Sequence, residues 1–116
     1  MTIAFGPQDI QREHDWLGCQ LGWRFLYAPE RTLREADVAL ITLNPGGDRY
    51  QPPAWSYEGG DAYCSERWGD CEPGAHALQR QVQRLFAIMS VEPTAVLSGV
   101  LVPFRSRRWE SWPQQA

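Results

Sequence analysis

The chain has 116 residues, 43% of them hydrophobic and 22% charged, which is ordinary composition for one small globular domain with a modest core. Eleven basic residues stand against fourteen acidic ones, a net charge of −3, so no overall positive field advertises nucleic acid. The three cysteines, Cys19, Cys64 and Cys71, are odd in number and unevenly spaced, which does not read as a disulfide framework and points to a reducing, cytoplasmic setting. Residues 1–7 lack the basic start and apolar core of a signal peptide, and no run reaches the length of a membrane span.

In chain order, residues 1–6 read as a short arm. Residues 7–21 are predicted to be a helix, with Pro7 in its first turn and Asp9 supplying negative charge there. Ile10, His14, Trp16, Leu17 and Leu21 make its apolar stripe, and Gly18 and Gly22 weaken its later half. Residues 23–27 suit a strand, closed by Ala28-Pro29, and 29–36 a polar connection. Residues 38–43 form a nearly continuous apolar run, the pattern of a strand covered on both faces of a parallel sheet. Asn44-Pro45-Gly46-Gly47-Asp48 stops it.

Pro45 fixes its own φ and biases Asn44 toward extended backbone. Gly46 and Gly47 permit positive φ and close ligand approach. Ligands of open α/β sheets sit at the carboxyl ends of strands, which makes this loop the first site candidate. Asn44 fits an Asx turn or a helix cap. It equally fits an amide that holds a water or a substrate oxygen, in a loop able to form an anion nest.

Residues 48–73 carry no sustained period. Their Tyr50, Trp55, Tyr57, Tyr63 and Trp68 predict an ordered loop that covers something. Trp55 and Tyr57 suit loop packing, or a π-face stacked on a planar ligand. Residues 74–90 are predicted to be a helix that buries Leu78, Val82, Leu85, Phe86 and Met89 and wets Gln79, Arg80, Gln83 and Arg84. Residues 94–102 read as a second strand interrupted by Ser98-Gly99. Strand, loop, helix and strand in this order make a right-handed parallel crossover. Both strands then end on one edge, and the Asn44 loop should meet the segment Pro103-Phe104-Arg105-Ser106-Arg107-Arg108-Trp109. Arg105, Arg107 and Arg108, interleaved with Phe104, Trp109 and Trp112, suit phosphate contact and stacking, or a solvated charge run. The spacings of Cys64, Cys71 and His76 match no zinc signature.

Ala39-Leu40-Ile41-Thr42-Leu43-Asn44-Pro45-Gly46 resembles the first motif of the uracil-DNA glycosylase superfamily. The likeness is to the mismatch-specific and single-strand-selective branches, which carry Gly-hydrophobic-Asn-Pro-Gly. Val100-Leu101-Val102-Pro103-Phe104-Arg105-Ser106 resembles the strand and turn after that superfamily's first crossover. The likeness spans residues 24–112 and implies a partial three-layer αβα domain with a parallel sheet, lacking the last strands, so that 1–116 is a single incomplete domain. It implies hydrolysis of the N-glycosidic bond of a flipped base in uracil- or mismatch-containing DNA, without metal or cofactor. In that scheme Asn44 positions the water. Leu43, Trp55, Tyr57 and Ser98 bind the base, and Gly46, Gly47, Arg105 and Arg107 hold DNA.

Three positions depart from the pattern. Thr42 stands where the family has glycine, and Ser98-Gly99 where the most active branch carries a base-reading Asn. The family's late His-Pro-Ser-like loop has no counterpart, since His14 and His76 both precede the second strand. The alternative expectation is an inactive relative that binds nucleic acid or a small anion.

Overall fold

The apolar run after Asp37 does form a strand, β1 (Val38–Thr42), paired side by side with β2 (Val96–Val100) in a two-stranded parallel sheet. This is the computed structural model of the chain, and it describes residues 5–111; most of the predicted arm and Trp112 lie outside those residues. A short helix, α1 (Pro7–Trp16), precedes the sheet, together with a single turn, α2 (Thr32–Glu35). Between the strands come another turn, α3 (Ala62–Ser65), and the longest helix, α4 (Ala77–Met89). The result is a small mixed α/β fold.

The chain clusters into two compact units. The first takes in the residues up to Phe25, Thr42–Trp55 and the residues from Val100 onward. Its core is Ile10, Trp23 and Phe104, with Cys19, Phe25, Trp55 and Val102 packed around them. Residues 23–27 make isolated bridges instead of the predicted strand. In this unit Trp23 pairs antiparallel with Phe104, and Arg24 pairs parallel with Ala54.

Helix α1 ends five residues earlier than expected. Gly18 adopts φ +75°, its N–H bonds to the Asp15 carbonyl, and the Cys19 N–H reaches back to the His14 carbonyl. That pair of bonds is a Schellman stop, which a glycine beyond the last turn favours. Of the predicted stripe, Ile10 and His14 are buried, whereas Trp16 is 80% exposed and Leu17 lies in the open turn. At the other end the Asp9 carboxylate accepts the Gly6 N–H and Pro7 occupies the first turn, as the sequence suggested.

The second unit comprises Leu26–Ile41 and Ser56–Gly99. Leu26, Tyr27, Ala28, Ala62, Tyr63, Val82, Phe86 and Val96 are buried in it. Strand β1 is not covered on both faces, because its exposure alternates and Ile41 is half exposed. Strand β2 is the buried one, and Ser98-Gly99 continue it instead of interrupting it.

Helix α4 corrects the predicted face more sharply. Val82 and Phe86 are buried, but Leu78, Leu85 and Met89 are exposed, and Gln79, expected to be wet, is fully buried. The cause is polar. The Gln79 Nε2 donates to the carbonyls of Ala62 (2.9 Å) and Glu66 (2.7 Å), and its Oε1 accepts the His76 N–H. Gln83 Nε2 likewise donates to Tyr63 and Gly74. Two glutamines thus satisfy backbone groups of α3 and the loop after it, groups that would be costly to leave unpaired.

Candidate site at the Asn-Pro-Gly-Gly loop

The chain leaves β1 at Thr42, and the sheet's hydrogen bonding continues for two more residues. Leu101 donates to the Thr42 carbonyl and Val102 to the Leu43 carbonyl. This zipper carries Asn44 to the start of the 104–106 segment, so the convergence expected from parallel strands is observed. Pro45 is fully buried, and its carbonyl accepts the Ser106 N–H at 3.2 Å.

The Asn44 amide is clamped. Its Nδ2 donates to the Phe104 carbonyl at 3.1 Å and to the Ser106 Oγ at 2.8 Å. A carbonyl only accepts, so the amide nitrogen must face it, and this fixes the flip of the side chain. Both N–H groups are thereby committed, and Oδ1 takes no hydrogen bond among the described residues. The Ser106 hydroxyl in turn donates to the Arg108 carbonyl. What remains at the end of β1 is one immobilised acceptor on a half-buried side chain.

Arg105 lies beneath the glycines. It is 6% exposed, its Nη1 donates to the Gly46 carbonyl, and its N–H bonds to the Gly22 carbonyl. Gly47 has φ +117°, and a Cβ there would sit 3.5 Å from the Arg105 side chain. The guanidinium expected to grip phosphate therefore braces the loop from inside. Arg107 is exposed and has no ion-pair partner among the described residues. Leu43, Gly46 and Gly47 are also exposed. Trp55 belongs to this unit, with its ring 4.8 Å from that of Phe25, as part of the core packing.

Tyr57 and Ser98 fall in the other unit. The Tyr57 hydroxyl meets the Ser65 Oγ at 3.0 Å. Ser98 is fully buried and donates to the Asp61 carboxylate at 2.8 Å, while the other oxygen of Asp61 caps α3 through the Tyr63 N–H. The structure thus brings Asn44, Gly46, Gly47 and Arg105 together, and gives Ser98 a carboxylate partner. Sequence reading missed Ser106 and Asp61. Ser106 lay inside the convergent segment but is one serine among arginines, and nothing in the pattern marked Asp61.

The cysteines are free. Burial pushes the thiols of Cys19 and Cys64 up, with the Asp15 charge adding to the first and the charges of Asp61 and Glu92 to the second. Among the described residues no group of three or more His, Cys, Asp or Glu side chains gathers as a metal site, and no helix is long and apolar enough to cross a membrane. Comparison with protein-family models, with curated proteins and with solved structures finds no match to this chain.

Proposed function

We propose that the Asn44 loop is the water-positioning end of a uracil-DNA-glycosylase-like site, carried on the first part of a three-layer αβα domain, with uracil- or mismatch-containing DNA as the substrate in a cytoplasmic setting. The observation that supports this reading is the clamped amide, whose only uncommitted atom is an acceptor. An acceptor at that point orients a water by accepting a hydrogen bond from one of its O–H groups, which leaves a lone pair directed at the sugar. An amide does not take up a proton, so the chemistry it supports is dissociative. The C1′–N bond breaks first, its electron pair leaves with the base, and the oriented water then adds to C1′ of the oxocarbenium ion and releases its proton to solvent. Arg107 would meet phosphate, Trp55 would supply the aromatic face of this unit, and Gly46 and Gly47 let a strand approach the backbone. The roles of Tyr57 and Ser98 rest on the family resemblance.

The test is base release from a uracil-containing single strand, followed by alkaline cleavage. The expected outcome is a cleavable abasic product with the native chain and a loss of at least about 100-fold with Asn44→Ala. No product from a folded native chain overturns the reading.

A second reading, binding without base release, is favoured by the exposed Arg107, which has no ion-pair partner among the described residues. It leads one to expect salt-sensitive oligonucleotide binding that Arg107→Gln weakens. Binding independent of salt, or unchanged by that substitution, rules it out.

A further inference from the structure

In the second unit, far along the sequence from the Asn44 loop, an open groove of about 370 Å³ runs beside α4. Gly74, Arg80, Gln83, Arg84 and Ala87 line it. Arg80 and Arg84 are four residues apart, so their guanidinium groups share one face of the helix. Both are exposed, and neither has an ion-pair partner among the described residues. Helix α4 contains no acidic residue that could pair with them. Like charges at this spacing repel each other unless an anion lies between them. In a chain of net charge −3, such a local pair of cations stands against the overall field.

The rest of the groove is built rather than incidental. Gln83 donates both of its Nε2 hydrogens, to the Tyr63 and Gly74 carbonyls at 2.7 and 2.9 Å. Its side chain is thereby fixed, and Oε1 remains as an acceptor. Gly74 has φ +75°, and a Cβ there would meet the Cys64 carbonyl, so the residue must be glycine. The bare backbone of Gly74 and the methyl of Ala87 keep the groove open. Two fork-shaped donors beside one fixed acceptor match an anion that also carries hydrogen-bond donors. The volume suits a small molecule.

We propose that this groove binds a small phosphate monoester with free hydroxyl groups, of the sugar-phosphate type, with Arg80 and Arg84 on the phosphate and Gln83 Oε1 on a hydroxyl. The proposal is independent of the glycosylase-like reading, since it uses no residue of the Asn44 loop.

The experiment is an NMR titration of the whole ¹⁵N-labelled chain with ribose 5-phosphate, with ribose and an eight-residue oligothymidylate as separate arms. The readouts are the Gly74 amide, the Gln83 side-chain amide and the Nε–H signals of Arg80 and Arg84. Saturable shifts with ribose 5-phosphate, at least about tenfold weaker with ribose, are expected. The double substitution Arg80→Gln and Arg84→Gln should weaken binding at least about tenfold while leaving the remaining amide spectrum intact, because glutamine is nearly as good a helix former as arginine. No saturable shift, equal shifts with ribose, or binding unaffected by the double substitution overturns the proposal. So does saturation of the same signals by the oligothymidylate at lower phosphate concentration, which would assign the groove to a nucleic-acid strand.

Discussion

Asn44 shows how one side chain can serve structure and chemistry at once. Its two donors hold the 104–106 segment, and its remaining oxygen points away from both bonds. Asn44→Ala removes both hydrogen bonds from a half-buried place and should cost about 1–2 kcal/mol in denaturant unfolding. Asn44→Asp is more telling. At neutral pH it sets a carboxylate oxygen against the Phe104 carbonyl, whereas in acid a protonated carboxyl can donate to that carbonyl. Its destabilisation should therefore be larger at about pH 7 than at about pH 4. Equal destabilisation at both would mean that the amide nitrogen does not face Phe104. The cysteines allow a second check at this scale. Because burial raises both thiols above their ordinary value of 9.0, Cys19 and Cys64 should alkylate more slowly than glutathione at about pH 8. Rates equal to glutathione would show that these side chains are open to solvent.

Among the elements, α4 carries the clearest marks of its own design. His76 caps its start by accepting the Leu78 N–H on Nδ1, and Gln79 returns the bond to the His76 N–H. Its end is less favourable, since Ser90 adopts the left-handed region at φ 56°, which glycine occupies without strain. Ser90→Gly should therefore raise stability by about 0.5–1 kcal/mol, read from the urea midpoint. A lower midpoint would show that the Ser90 side chain contributes more than its backbone loses.

The existence of α4 and β1 was legible because each is a local pattern, a 3.6-residue period and an apolar run. The sides they bury were not. Gln79 is buried because the carbonyls of Ala62 and Glu66 need donors, and that need arises on another element. The end of α1 was half legible. Gly18 in the pattern weakens the helix, but the bond from Cys19 back to His14 turns a weakness into a stop. The meeting of Asn44 with residues 104–106 followed from parallel topology alone, whereas the burial of Arg105 reversed the solvated role that its basic neighbours suggested.

At the scale of the molecule, acid is the condition most informative about stability. The Ser56 hydroxyl, the Glu30 N–H and the nearby Arg31 hold the Glu58 carboxyl below its ordinary value. His14, then Gln11, do the same for Asp15. A folded-state pKa lowered in this way contributes stability that is complete above the ordinary carboxylate value and is lost as pH falls through the lowered one. Both groups are exposed, so each effect is small and screened. The melting temperature should fall as pH drops from about 5 to about 2.5, and the fall should be shallower in Glu58→Gln. An identical slope in the variant would remove Glu58 from that account.

The core of the first unit has a consequence for the order of events in folding. Ile10 and Trp23 come early in the chain and Phe104 comes late, yet the three pack as one cluster. During synthesis the early aromatic and aliphatic side chains emerge long before the residue that covers them. Closing so long a loop has an entropic cost that local contacts do not offset, so this unit should form late and slowly, as high contact order dictates. While Phe104 is still within the ribosome, Ile10 and Trp23 stay open to whatever apolar surface they meet first, and a chaperone that holds nascent chains would find its handle there.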